Sequence, residues 1–350
     1  MGRPRRALRW QGRLLISPSP YDALSALDTG HGDWLDPRDG GALRALLRAR
    51  YGETYAHRRL YTPGVLEGAW SARALLSLGQ RRGDTLDAHT GFWFMGDGLV
   101  ESGLTVTRPG LPSTPPVDLD ALWSRVLGAL SSAGVLALTQ RTTTLHPIAQ
   151  HLALTHMRAL PTGLRPNYTR GERITGLDSA PGVMHALSMI TTLNAPAGAV
   201  IVPDDAWGGW LADLADPLGL EVSRSPATPS DHALSLTPLA DDPSFGARRA
   251  RVALDGDARR ITLTPAHPPR RVELRHVPAR DVSLVATAHA ALLERRFLPV
   301  GWRLGAEPEI IYQLVLAPEE TSASMANASL ANGSIRALWN TWRTLCAHTS

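Results

Sequence analysis

The sequence predicts an α/β fold of the α+β kind, a mixed and mostly antiparallel twisted sheet flanked by helices. Three observations lead there. Apolar residues recur at helical spacing in 41–51 (Leu43, Leu46, Leu47) and in 117–133 (Leu119, Leu122, Trp123, Val126, Leu127, Leu130). Between these stretches, 73–78, 85–94 and 99–106 read as strands set apart by Gly79, Gly83, Gly96 and Gly98, the pattern of an antiparallel meander. A short buried strand at 135–139, a helix at 148–157 and a Thr-Gly turn then complete the order helix, three strands, helix, strand, helix, strand.

The elements outside that block are placed by the same signals. Residues 1–40 are rich in Arg, Pro, Gly and Asp, and are expected to form an extended leader. Residues 51–63 mix aromatics with His and Arg and end at Pro63, which predicts a loop or broken helix over a pocket. Gly134 stands where a helix ending at residue 133 needs its left-handed cap. In the second half, 199–203 predicts a strand and 207–215 a helix stopped by Pro217. Strands are expected at 251–254, 260–264 and 271–276, then an amphipathic helix at 279–296 and a strand pair at 297–302 and 309–316. Residues 317–333 have the composition of a flexible linker. The last stretch, 334–348, places Ile335, Leu338, Trp339, Trp342 and Leu345 on one helical face, to dock on its own domain or on a partner or sister subunit.

Composition excludes several classes. The 350 residues, 43% hydrophobic, suffice for two cores. The net charge of +4 is spread without a long single-sign block, so a nucleic-acid footprint is not expected. All 36 basic residues are arginine. With no lysine there is no Schiff-base chemistry and no G-x-x-x-x-G-K-[ST] phosphate loop. One cysteine, Cys346, rules out an intrachain disulfide and a cysteine-based zinc cluster. The N-terminal apolar run is too short for a signal-peptide core, and no run reaches the ~18 residues of a membrane span. A cytoplasmic protein is the expectation.

Two separated motifs carry a family resemblance. The first is Tyr51-Gly52-Glu53-Thr54-Tyr55-Ala56-His57. The second is Thr144-Leu145-His146-Pro147-Ile148-Ala149-Gln150, with Thr162-Gly163-Leu164 ending the turn that follows. In this order, residues 51–170 resemble a branch of the GNAT N-acetyltransferase superfamily. The resemblance implies a GNAT-like domain over 41–170 and a second, degenerate GNAT-like unit over 171–316, so that the whole is a tandem. It also implies acetyl-CoA as co-substrate and an amine as acceptor. Glu101, on the strand that lines the acyl site in this fold, is the implied base. The cofactor would lie along Leu104, Val106, Arg108, Gly110, Ser113 and Thr114.

The chain departs from the family at the diphosphate cradle. Where Arg/Gln-x-x-Gly-x-Gly/Ala is usual, it has Arg108-Pro109-Gly110-Leu111-Pro112-Ser113-Thr114-Pro115-Pro116, whose four prolines donate no N–H. Asp118 and Asp120 stand at the start of the next helix, where they favour the helix and repel a diphosphate. The family's tyrosine acid has no counterpart in 148–157. His146, His151 and His156, spaced by five, lie about 140° apart on a helix and do not converge on a metal. No metal is expected, and no G-x-S-x-G elbow occurs. Two readings stand: an N-acyltransferase moving an acyl group from acyl-CoA to an amine, and a GNAT-fold ligand-binding or regulatory protein without turnover.

Overall fold

The computed structural model describes residues 8–10, 13–15, 18–30, 32–55, 57–110, 118–144, 147–171, 175, 182–194, 198–225, 233–239, 248–255 and 273–349. Strands β1 (Leu8–Trp10) and β2 (Arg13–Leu15) pair antiparallel. The expectation of an extended leader is corrected in the residues that follow. Ser19 accepts the Asp22 N–H and caps α1 (Pro20–Ser25), with Pro20 in the first turn and Leu24 fully buried. β3 (Asp33–Trp34) then joins the edge of the meander. The leader folds because Tyr21, Leu24, Leu27 and Trp34 cover apolar surface that would otherwise meet water.

α2 (Gly40–Tyr51) buries Leu43, Leu46 and Leu47, the face its periodicity predicts. A single helical turn, Arg58–Tyr61, and α3 (Val65–Ser71) lead into β4 (Leu75–Arg82), β5 (Thr85–Gly96) and β6 (Leu99–Thr107), which form the expected meander. α4 (Leu119–Ser132) is capped by Asp118, whose side chain accepts the Ala121 N–H, and is followed by Gly134 at φ +77°. β7 (Ala137–Thr143) runs parallel to β6. α5 (Ile148–Thr155), β8 (Leu160–Gly171) and β9 (Gly182–Thr192) complete this half, with β9 inserted between β7 and β8.

The second half opens with β10 (Val200–Pro203), α6 (Ala206–Ala215) and β11 (Val222–Ser225). The two strands make a separate parallel pair. β12 (Ala233–Leu239), β13 (Arg248–Asp255), β14 (Glu273–Pro278), α7 (Val282–Glu294), β15 (Phe297–Leu304) and β16 (Pro308–Leu314) follow. The strand expected at 260–264 lies outside the described residues.

Among the described residues, β3 to β9 and β12 to β16 form one 12-stranded sheet in the order β12-β13-β14-β16-β15-β8-β9-β7-β6-β5-β4-β3. Its neighbours are antiparallel except β6 with β7 and β13 with β14. The strand strings β6-β7-β9-β8 and β13-β14-β16-β15 are thus alike, and they meet where β8 pairs with β15. The sequences there are also alike, Leu160-Pro161-Thr162-Gly163-Leu164 against Leu298-Pro299-Val300-Gly301-Trp302. Each strand carries an irregularity at the same place, between Pro161 and Gly163 and between Pro299 and Gly301.

The linker expected at 317–333 is also corrected. α8 (Pro318–Ser324) and a helical turn at Met325–Asn327 occupy its first part, with Thr321 and Met325 buried. α9 (Gly333–Ala347) buries Ile335, Trp339, Trp342 and Cys346. Trp342 Nε1 donates to Pro299 O at 2.7 Å and Trp339 Nε1 to Met325 O at 3.0 Å. The apolar face of the last helix is therefore taken up within the chain.

Candidate active site

β6 and β7 pair from Leu99 with Ala137 to Ser102 with Gln140, and then part company. Beyond that point β6 continues beside β5 to Thr107, and β7 continues beside β9 to Thr143. Two facing strand edges are left without each other, so their backbone N–H and C=O groups line an opening. The pair at its apex is polar, and among the described residues neither Ser102 Oγ nor Gln140 Oε1, both buried, has a hydrogen-bond partner. Buried polar groups are nearly always satisfied, so two orphans at one apex mark a place where a polar group belongs.

The β6 wall of the opening is bent. Gly91 pairs with Gly103 and His89 with Val106, so Leu104 and Thr105 make a bulge. Leu104 sits at φ +56°, costly for a branched side chain. Its carbonyl accepts a 2.7 Å hydrogen bond from His89 Nδ1–H. Burial holds His89 neutral, with its pKa down at about 4 despite the opposing hydrogen bond to Leu104 O. His89 is a residue of this candidate site that sequence reasoning missed. A histidine inside a strand signals nothing until the bulge opposite it is known.

Side chains on alternate residues separate the two faces of the sheet. Val100, Leu138 and Phe92 belong to the face covered by α4, whose Trp123 meets Phe92 edge-on at 6.0 Å. Glu101 belongs to the other face. It is 4% exposed, and its Oε2 accepts from Arg141 Nη2 at 2.8 Å. A cavity of about 80 Å³ opens on that face, with Glu101, Arg141, Arg165, Ser188, His276 and Arg303 in its wall. Glu101, Gln140 and Arg141 belong both to this cavity and to the strands at the apex.

The far wall comes from the second half of the sheet. Glu309, fully buried, accepts from His276 Nδ1 at 3.0 Å, Arg303 Nη1 at 3.1 Å and Arg251 Nε at 2.8 Å. Burial by itself would raise its pKa. The His276 hydrogen bond and the charges of His276, Arg303 and Arg251 outweigh that and hold it at about 2. Arg303 Nη2 also reaches Asp97 Oδ2 at 3.0 Å in the turn between β5 and β6, which ties β15 in the second half of the sheet to the meander of the first.

The other residues singled out by sequence are placed as follows. Leu104 and Val106 turn their side chains into the apolar cluster with Leu43 and Leu46, so only their backbone can meet a ligand. Arg108 donates to Asp87 Oδ1 at 3.2 Å and Leu86 O at 2.9 Å. Gly110 has φ +78°, with none of the described residues close to where a Cβ would stand. Ser113, Thr114 and His146 lie outside the described residues. Tyr51 and Tyr55 stack at 4.7 Å, with His57 edge-on to Tyr55 at 5.2 Å. Burial raises the Tyr55 hydroxyl well above its ordinary range, with Tyr51, Tyr61 and the Glu101 charge adding to it. Gln150 ties β7 to the C-terminal segment through Thr143 O, Ser329 O and the Ala331 N–H. His156 bonds Asp120 at 2.7 Å and His151 is exposed.

No protein-family model matches the sequence, and none of the curated proteins matches it. Similar solved structures are acetyltransferases. The ribosomal-protein-S18-alanine N-acetyltransferase of Escherichia coli is 15% identical, over 47% of this chain and 94% of its own, at a TM-score of 0.35. An acetyltransferase of the GNAT family from Streptococcus pneumoniae is 13% identical over 46% and 97%, at 0.36. The spermidine N-acetyltransferase of Vibrio cholerae, in complex with CoA and spermine, is 11% identical over 46% and 93%, at 0.35. These values describe a likeness over less than half of the chain. Among the described residues no helix is long and apolar enough to cross a membrane.

Proposed function

We propose that this chain is an acyl-CoA-dependent N-acyltransferase whose acyl donor enters between β6 and β7. The observation that carries the reading is the opening beyond Ser102 and Gln140, where β6 and β7 no longer pair with each other and two buried polar side chains have no hydrogen-bond partner among the described residues. An extended chain with amide groups, such as the pantetheine arm of CoA, can pair with such edges as an added strand does. The bulge at Leu104 sends that residue's carbonyl to His89 and re-aims the neighbouring N–H groups of β6, which would polarise a thioester carbonyl. Acyl-CoA would supply an activated carbonyl. The acceptor amine forms the new C–N bond, the C–S bond breaks, and the amine proton passes to Glu101 or to a water it holds, while the thiolate leaves.

The fit is good along the arm and different from the family pattern at the diphosphate. The Asp118 carboxylate already accepts one first-turn N–H of α4, Asp120 pairs with His156, and Arg108 is engaged elsewhere. These observations favour a second reading, a GNAT-fold protein that binds a ligand without turnover. We also propose that the chain is a tandem, with the boundary moved from the expected residue 170 to a point beyond β9, because β9 lies between β7 and β8; the first unit then runs through β9 and the second comprises β10 to β16. The matching strand strings and the two Leu-Pro-x-Gly segments support it. We retain a cytoplasmic location and an amine acceptor as parts of the proposal.

Calorimetric titration with acetyl-CoA tests the first reading. Saturable heat, with competition by CoA, is the expected result. No heat and no thermal shift at millimolar acetyl-CoA would remove the acyltransferase and leave the binding protein.

A further inference from the structure

We infer that the bare backbone at Gly103 seats the protonated amino end of a primary amine, held between Glu101 and His89. Glycine in the interior of a strand weakens it, and it often marks a bulge or the close approach of a ligand. Gly103 lies inside β6 and pairs with Gly91 of β5, while the left-handed residue of the bulge is its neighbour Leu104. A Cβ on Gly91 would meet Leu75 Cδ1 at 3.1 Å and His89 Cε1 at 3.5 Å, so that space is filled from within the fold. A Cβ on Gly103 would have Glu101 Oε1, at 3.9 Å, as its one neighbour within 4 Å among the described residues. Packing explains the first glycine and leaves the second open to a ligand.

The groups that border Gly103 are acceptors. His89 donates its Nδ1–H to the Leu104 carbonyl, which can only accept, so Nε2 carries a lone pair. His89 is 3% exposed, and among the described residues its Nε2 has no hydrogen-bond partner. Cε1, bonded to Nε2, lies against Gly91, and the Cβ positions of directly opposed residues stand only about 5 Å apart. On the other side stands Glu101 Oε1. Arg141 takes Oε2 of that carboxylate at 2.8 Å, but a carboxylate accepts about four hydrogen bonds, so this pairing does not exhaust it. A buried lone pair without a donor costs free energy that an arriving N–H removes. Two acceptors beside an empty spot suit a small group with several N–H donors, and a primary ammonium has three. A carbonyl oxygen there would set acceptor against acceptor, and a quaternary ammonium has no N–H to give.

The assignment deepens the reading of this face as the acceptor side of an acyltransferase and rests on that reading for what becomes of the amine. Its test needs no acyl donor, so failure of acetyl-CoA to bind and failure of the amine to bind are separate results. Butylamine, butanol and butyltrimethylammonium are titrated into the full chain, with binding followed by shifts in the protein's NMR spectrum. Butylamine is expected to saturate in the millimolar range or tighter, at least about tenfold better than the other two. Gly103→Ala is expected to hold or raise the thermal midpoint, because alanine suits a strand interior better than glycine, and yet to weaken butylamine at least about tenfold. A glycine required only by the fold would do the opposite and lower the midpoint. Absence of saturable butylamine binding, equal binding of butanol or of butyltrimethylammonium, a lowered midpoint in Gly103→Ala, or full affinity in that variant would each overturn the assignment.

Discussion

Gly163 and Gly301 face each other where β8 meets β15, and neither can carry a side chain. A Cβ on Gly163 would overlap the Val300 carbonyl oxygen and stand 2.8 Å from Gly301 Cα. A Cβ on Gly301 would overlap Thr162 O, at a backbone φ of +133°. The two halves of the sheet thus join through bare backbone. Gly163→Ala and Gly301→Ala are each expected to destabilise the protein by about 3 kcal/mol or more, since overpacking against backbone has no flexible side chain to yield. Urea denaturation measures it, and Gly301→Ala is expected to cost more, because it adds a strained φ.

Acid should unfold the protein in two steps of different origin. His89 and His185 are held at about 4, below their ordinary 6.5, by burial against the weaker effect of one hydrogen bond each. A depressed histidine is neutral in the folded state while the unfolded chain takes up a proton. Its stability contribution is present above pH 6.5 and is lost as the pH falls from there through 4. The ceiling is about 3 kcal/mol for each. Glu309, at about 2 against an ordinary 4.5, contributes stability that is lost between pH 4.5 and 2. Denaturation across pH 7 to 3 is expected to show the first loss, and His89→Gln to flatten it.

Cys346 reports the docking of the last helix. It is fully buried, its Sγ lies 3.3 Å from Pro318 O, and burial pushes its thiol up to about 12. The thiolate is the reactive form, so native protein near pH 8 should react with a thiol reagent at least about 10³-fold more slowly than unfolded protein. As the chain has no other cysteine, the readout is unambiguous. Trp342→Ala, which removes the indole bonded to Pro299 O, should raise the native labelling rate and cost about 3–5 kcal/mol.

Most of the first half was legible because its elements carry strong periodicity and glycine turns. The meander, α2 and α4 lie within a few residues of expectation. A strand after α5 was expected, but its extent was not legible: Thr162-Gly163-Leu164, read as a turn, lie inside β8, whose pattern Pro161, Gly163 and Pro166 interrupt, and Gly163 is bare because β15 crosses it there. The leader held a readable start signal, Ser19-Pro20 with Asp22, in a stretch whose composition suggested none. At the candidate site, Glu101 was named through the resemblance. His89 and the cluster of Arg251, His276, Arg303 and Glu309 were not. Their convergence depends on strand order and sheet curvature, which local sequence does not carry.

The central claim is that acyl-CoA enters between β6 and β7 and that Glu101 serves the amine. Release of free CoA thiol from acetyl-CoA, measured with a panel of small primary amines as acceptors, compares the parent chain with Glu101→Gln. The account predicts acceptor-dependent release by the parent and a loss of about 10²-fold in Glu101→Gln with acetyl-CoA binding retained. Equal rates in the two proteins, or no release by a parent chain that binds both ligands, would contradict it.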